Sequence, residues 1–158
     1  VQESIHDEFV ERLLQITRSA KIGDPSKPDT QIGPVATRPQ FEKVLRYIDI
    51  AKSEGARCVA GGRSLEGPEY GAGQFVEPTI FVDVDNSMRI AQEEVFGPVL
   101  SILRFKDEED AIRIANDIRF GLAACTLRYV DLWDAIARLR AILVEERWRD
   151  PRYAVVSV

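Results

Sequence analysis

Gln92-Glu93-Glu94-Val95-Phe96-Gly97-Pro98 runs directly into Val99-Leu100-Ser101-Ile102-Leu103. The second half is a short apolar run suited to a strand covered on both faces. The first half ends any helix at Gly97-Pro98 and sets two carboxylates and an aromatic ring just ahead of that strand. Outward from this stretch, strand and helix patterns alternate. Upstream, Phe75 to Val84 reads as extended chain around Pro78, Ser64 to Gly73 as loop, and Arg57 to Ala60 as a strand closed by Gly61-Gly62. Before them, a helix begins near Thr37, with Pro39 in its first turn and Gln40 in capping-box position. Its inward stripe is Phe41, Val44, Leu45 and Ile48, and Gly55 ends it. Gly23 to Asp29 holds two prolines and is a loop. A first helix is expected from Ile5 to Ala20, with Ser4 and Asp7 as a capping box and Ile5, Phe9, Val10, Leu13 and Leu14 inward. Downstream, Asp107 to Asp117 reads as a helix with Ala111, Ile112, Ile114 and Ala115 inward, Ala123 to Leu127 as a strand, and Asp131 to Arg140 as a helix. The alternation predicts an α/β fold, a mainly parallel sheet with helices on both faces.

Composition narrows the function. With 158 residues the chain is sized for one compact domain, or one with a short extra lobe. Lys and Arg number 21 against 26 Asp and Glu, a net charge of −5. That balance lacks the concentrated positive surface a nucleic-acid partner requires. Apolar residues at 45% and charged residues at 30% can bury a core. No apolar run nears the roughly 20 residues of a membrane helix, so no membrane partner is expected. Two cysteines, Cys58 and Cys125, make no disulfide framework, which points to a reducing, cytoplasmic setting. Val1 stands where an intracellular chain begins with Met, so the sequence is expected to be an internal piece or a processed product.

A search for catalytic constellations leaves most of the chain plain. His6, the only histidine, could serve as a general base, but no nucleophile motif accompanies it, and it reads better as an exposed polar residue near a helix start. Gly-x-Ser-x-Gly is absent, and one histidine with two remote cysteines supplies no metal site. Both cysteines sit in apolar, strand-like settings and read as small hydrophobes. Phosphate-cradling glycine loops are missing, and Gly71-Ala72-Gly73 alone carries nothing. The segment from Gln92 to Val99 stands out. A carboxylate can accept hydrogen bonds from paired sugar hydroxyls, and a neighbouring ring can flank a flat heterocycle. It can equally be a helix end with solvated acids and a core phenylalanine. Both readings stay open on these residues.

Glu93-Glu94-Val95-Phe96-Gly97-Pro98-Val99 resembles the signature of the aldehyde dehydrogenase superfamily, and its flanks agree. Val1-Gln2-Glu3-Ser4-Ile5 and Asp7-Glu8-Phe9-Val10 resemble the strand and helix that follow the family's catalytic cysteine. Gln31-Ile32-Gly33-Pro34, Gln40-Phe41, Gly61-Gly62, Glu77-Pro78-Thr79-Ile80 and Asn116 through Ala123 follow in family order. The resemblance covers residues 1 to 140. It implies that Glu94 holds the hydroxyls of the nicotinamide ribose and that Phe96 lies beside the nicotinamide. It implies that Gln40 and Lys43 reach the adenine-side ribose, while Asn116 and Gly121 set a turn. The implied reaction is attack of a cysteine thiolate on an aldehyde, hydride transfer to NAD or NADP, and hydrolysis of the thioester.

The departures carry expectations of their own. The family's nucleophile, general-base glutamate and Rossmann-like domain belong upstream of Val1, and neither Cys58 nor Cys125 has the nucleophile's context. No catalytic residue and no metal ligand is therefore assigned to this chain. Residues 1–141 are read as a partial catalytic domain. After Ala141 the family expects a glycine and a strand of the type Val-Trp-Val-Asn, so 142–158, beginning Ile142-Leu143-Val144-Glu145, is read as a diverged or truncated tail. Alone, the chain is expected to be inactive, to bind the cofactor weakly or not at all, and to self-associate or pair with the missing remainder of the enzyme. The alternative is a non-catalytic interaction or structural module that keeps the fold.

Overall fold

The structure is a computed structural model that describes residues 1–118. The chain divides into two compact units, Val1–Phe105 and Lys106–Val158. The expectations for Gly121, the strand at 123–127 with Cys125, the helix at 131–140 and the tail at 142–158 lie outside the described residues.

In the first unit, α1 (His6–Ser19) precedes α2 (Arg38–Ser53), β1 (Arg57–Ala60), β2 (Ser64–Leu65), β3 (Phe75–Val76), β4 (Thr79–Val82), α3 (Arg89–Gln92) and β5 (Val99–Ser101). The second unit contributes α4 (Glu108–Asn116), capped by the Asp107 carboxylate accepting from the Asp110 amide. Its Ala115, expected inward, is exposed. Among the described residues, no helix is long and apolar enough to cross a membrane.

The fold is α/β, and the described sheet is mixed. Its order is β1-β4-β5: β4 pairs parallel with β5, Thr79 opposite Val99, while β1 pairs antiparallel with β4. Gln2 and Phe105 add a further parallel bridge. The expectation of a mainly parallel sheet leaves room for such an antiparallel edge. The chain runs from β1 to β4 through β2 and β3 with no helical crossover, which a parallel pairing would need. Ser64-Leu65, read as loop, instead pairs with Phe75-Val76 in a short antiparallel ladder.

β4 organises the core because every one of its residues is buried. Successive strand side chains point to opposite faces. Phe81 packs with Val44, Ile48 and Ala51 of α2, whereas Ile80 and Val82 pack with Val10, Leu13 and Leu14 of α1. Helices therefore cover both faces of this strand, as its apolar sequence demands. Each such side chain removed from water contributes about 1.5–3 kcal/mol before entropy is charged against it.

Local signals explain the boundaries of α2. The Thr37 hydroxyl accepts from the Gln40 amide at 3.4 Å, and Pro39 fits the first turn. At the other end Gly55 adopts φ +100. Its N–H donates to Lys52 O and the Ala56 N–H to Ala51 O, the paired closure that a left-handed glycine makes possible.

α1 is rotated from its expected phase, and two expectations fall with it. Ile5 occupies the cap position and no side chain caps the helix, so Ser4 and Asp7 form no capping box. His6, expected to be exposed, is 1% exposed. The helix presents His6, Val10 and Leu13 to the sheet, at i, i+4 and i+7. Ile5 and Phe9 turn outward and are 53% and 38% exposed. The apolar residues of α1 span more than one face, so periodicity alone did not choose the phase. His6 Nδ1 lies 2.8 Å from the Asp7 carboxylate, and its buried Nε2 has no partner among the described residues. Arg104 bridges Asp7 at 3.2 Å and Asp83 at 3.7 Å, and Arg57 completes the group on Asp83 at 2.8 Å. The His6 hydrogen bond, then Arg104, holds the Asp7 carboxyl below its usual range.

Phe81→Ala should destabilise the chain by about 3–5 kcal/mol, the cost of a cavity at a fully buried ring. Urea unfolding followed by circular dichroism measures this, and a wild-type midpoint would show that β4 does not carry the core.

Candidate functional site

The segment ahead of β5 is held along one face of α2. Gln40, Lys43, Val44 and Tyr47 lie at i, i+3, i+4 and i+7, one helical stripe. Each meets a different residue of the segment. The Gln40 Nε2 donates to the carbonyls of Val95 and Phe96, both at 2.6 Å. The Lys43 ammonium donates to Glu94 O at 2.7 Å. The Tyr47 hydroxyl donates to the Glu93 carboxylate. Val44, fully buried, lies beneath Gly97, where a Cβ would fall 2.5 Å from Val44 Cγ2. Glycine is therefore needed at 97 for closeness to the helix.

The chain then turns sharply into the sheet. The Val99 N–H donates to Gly97 O across Pro98 at 2.7 Å, a tight turn compatible with the fixed proline φ. Pro98 O accepts from the Thr79 N–H at 2.8 Å, which ties the turn to β4. The turn thus enters β5 at the strand's amino end. Open α/β sheets ordinarily bind ligands at the carboxyl ends, so sheet topology does not argue for a site here. The case rests on the side chains.

The two adjacent glutamates have different surroundings. Glu93 is half-buried; besides Tyr47, it accepts from Arg89 Nε and a terminal Arg89 nitrogen, each at 3.0 Å. Arg89 is in turn seated on α3, whose first amide donates to the Glu54 carboxylate at 2.8 Å. The Glu94 side chain is exposed and makes no hydrogen bond or ion pair with any described residue. Glu93 is held by protein side chains, and its neighbour has no such partner among the described residues.

Phe96 departs from the core-phenylalanine reading, since it is 69% exposed. Its backbone lies at φ +52. A bulky residue in that left-handed region costs of order 1–3 kcal/mol and persists only where the surroundings impose it. The Lys43 ammonium sits 5.9 Å from the Phe96 ring centroid and 5.7 Å from that of Tyr47, within cation–π range of both. Arg89 flanks the other ring at 5.5 Å from the Tyr47 centroid.

All four residues singled out in the sequence, Gln40, Lys43, Glu94 and Phe96, are brought together here. Sequence reasoning missed Tyr47 and Arg89, which hold Glu93. The Arg89/Glu93 pair at i,i+4 was a legible signal. Tyr47 was legible only as a continuation of the stripe through Gln40 and Val44. Cys58 donates to Ala60 O at 3.2 Å and is partly buried on β1, in keeping with a structural residue.

An α/β chain with an acidic and aromatic turn clamped to a helix is the architecture on which the sequence motifs lie. The sequence model of the aldehyde dehydrogenase family matches residues 1–138, and the chain belongs to that family. It is 52% identical over 107 residues to a betaine aldehyde dehydrogenase of Mesorhizobium japonicum, covering 66% of this chain and 22% of the relative. To an aldehyde dehydrogenase of Paracoccus denitrificans it is 50% identical over 107 residues, 67% of this chain and 21% of the relative. Among solved structures, betaine aldehyde dehydrogenase from Staphylococcus aureus in complex with NAD+ superposes with a TM-score of 0.81 at 37% identity, covering 90% of this chain and 27% of that one. The indole-3-acetaldehyde dehydrogenase of P. syringae, solved with NAD+, gives 0.81 at 43% identity over 89% and 28%. The chain thus spans about a fifth of the length of these curated relatives.

The hydrogen bond to Glu93 raises the Tyr47 hydroxyl above its ordinary value of 10.0. The sign follows from linkage: the folded state holds this proton more tightly than the unfolded one. The stabilisation is whole below pH 10 and is lost as pH climbs through the raised value. Glu93→Gln removes the charge, so Tyr47 should ionise at lower pH in an ultraviolet tyrosinate titration. An unchanged titration would show that Glu93 does not hold Tyr47.

Proposed function

We propose that this chain is part of an NAD(P)-dependent aldehyde dehydrogenase that oxidises an aldehyde to a carboxylic acid through a cysteine thioester. The observation that carries the reading is the contrast at the turn: Glu93 is fully engaged, while Glu94 has no partner among the described residues and stands beside an exposed ring.

The donor set fits a nicotinamide dinucleotide. A carboxylate with open lone pairs accepts from two vicinal hydroxyls, and the Phe96 ring offers an apolar face for a flat heterocycle. Glu94 would hold the nicotinamide-side ribose, Phe96 would border the nicotinamide, and Gln40 and Lys43 would meet the adenine-side ribose. When bound, the cofactor supplies a hydride acceptor. The residues of this chain bind and orient. The nucleophile and the general base belong to parts of the enzyme outside the matched segment. NAD+ in the solved relatives supports NAD over NADP.

Alone, the chain is inactive in this reading and holds cofactor poorly. A few hydrogen bonds of about 0.5–1.5 kcal/mol each do not offset the roughly 4–15 kcal/mol lost on association. The exposed Ile5 ahead of α1, Phe9 and Ile16 on α1 and Leu100 on β5 support pairing with the remainder of the enzyme or with a second copy. The proposed setting is the cytoplasm, and residues 142–158 are read as a diverged or truncated tail.

Calorimetric titration of the isolated chain with NAD+ should give a dissociation constant no better than about millimolar. Micromolar binding abolished by Glu94→Ala would overturn that weakness. In the complete enzyme, Glu94→Gln should lower kcat/KM about 10- to 100-fold, the worth of a charge-assisted hydrogen bond. Wild-type kinetics would remove Glu94 from the cofactor site.

A further inference from the structure

We infer that Gln40 and Lys43 are positioning residues that tether the Glu94–Phe96 turn, a role that rests on reading Glu94 and Phe96 as the nicotinamide-side contacts. The three successive carbonyls of Glu94, Val95 and Phe96 are all taken by these two side chains, at 2.7, 2.6 and 2.6 Å. Among the described residues, none of the three enters a backbone–backbone hydrogen bond. The turn is further anchored at its ends, by Glu93 on Tyr47 and Arg89 and by Gly97 against Val44, and Val95 packs on the core cluster between them.

The chemistry of the contact fixes its orientation. Two carbonyl oxygens face one end of the Gln40 amide, and only an NH2 group can donate to both. Gln40 Nε2 therefore spends both hydrogens on the turn. Phe96 needs such a hold, because its left-handed backbone is imposed from outside. Lys43 adds a second grip on the same residue by standing over its ring while bonding Glu94 O. These contacts leave the Gln40 Oε1 and two further Lys43 N–H groups unused, so tethering the turn and meeting a ribose hydroxyl do not compete for the same atoms.

The tether is tested on the full chain without cofactor. Chymotrypsin cleavage at the exposed Phe96–Gly97 bond reads opening of the turn, and cleavage at Phe9–Val10 on α1 reads general loosening. The ratio of the two initial rates is followed by mass spectrometry. Gln40→Glu is nearly isosteric but sets a carboxylate against two carbonyls, and Lys43→Met keeps the stem without the donor. Both should raise the ratio about tenfold, the factor that one lost hydrogen bond to a strained turn is worth. Lys43→Arg, which restores a cationic donor, should stay within about twofold of wild type. A wild-type ratio in Gln40→Glu and Lys43→Met overturns the tether. So does a ratio in Lys43→Arg as high as in Lys43→Met, since the donor would then be irrelevant. If Glu94 meets no ribose, Glu94→Gln leaves the kinetics of the complete enzyme at wild type while the cleavage ratios still change, so the two ideas fail separately.

Discussion

The face of α2 that carries Gln40, Lys43, Val44 and Tyr47 meets the chain from Glu93 to Gly97 residue by residue, and the rest of the site depends on that register. The helix is itself fixed on both sides of the contact. Val44 and Ile48 are driven into the core with Phe81, and the same turns of helix carry the donors that reach outward to the segment. Hydrophobic burial sets the helix in place, and the hydrogen bonds then act from a rigid base. Such bonds contribute modestly one by one, yet they decide which conformation an exposed turn adopts.

β4 links that site to the core. Its buried faces take α2 on one side and α1 on the other, and the N–H of its first residue donates to the Pro98 carbonyl of the incoming chain. Displacement of α2 would therefore loosen both the Phe81 packing and the turn. The far side of the sheet carries a different kind of anchor. His6 is buried against the strand, and Asp7, Arg104, Asp83 and Arg57 form a charged chain at its rim. Asp83 lies at φ +57, which short polar side chains tolerate better than most.

The neighbouring glutamates show how a single sequence repeat acquires two physical roles. Glu93 is half-buried and compensated by a hydroxyl and a guanidinium, as a desolvated charge requires. Glu94, one residue on, points away from those partners because the backbone beyond α3 is already extended. An aldehyde dehydrogenase segment can thus retain an ordered carboxylate next to an unengaged one with no change of residue type.

Much of this was legible in the sequence, and the reasons are local. Thr37, Pro39 and Gly55 bracket α2 because cap chemistry is set by neighbouring residues. Val99 to Ser101 reads as a strand because its apolar run is short and follows a proline turn. Glu94 and Phe96 were singled out because Glu93 to Val99 resembles the family signature, a local motif. What tertiary structure decided was facing and partnership. Ile5, Phe9, Val10 and Leu13 allow two helical phases, and only packing against Ile80 and Val82 turned His6 inward and Phe9 outward. Arg89, four residues before Glu93, is a local hint of the engaged carboxylate, but its other partner, Tyr47, lies 46 residues away in the chain. The antiparallel pairing of β1 and the tether from α2 to the turn are likewise contacts between distant segments. Short-range pattern encodes where elements begin and end, while long-range packing selects which face is buried and which polar group finds a partner.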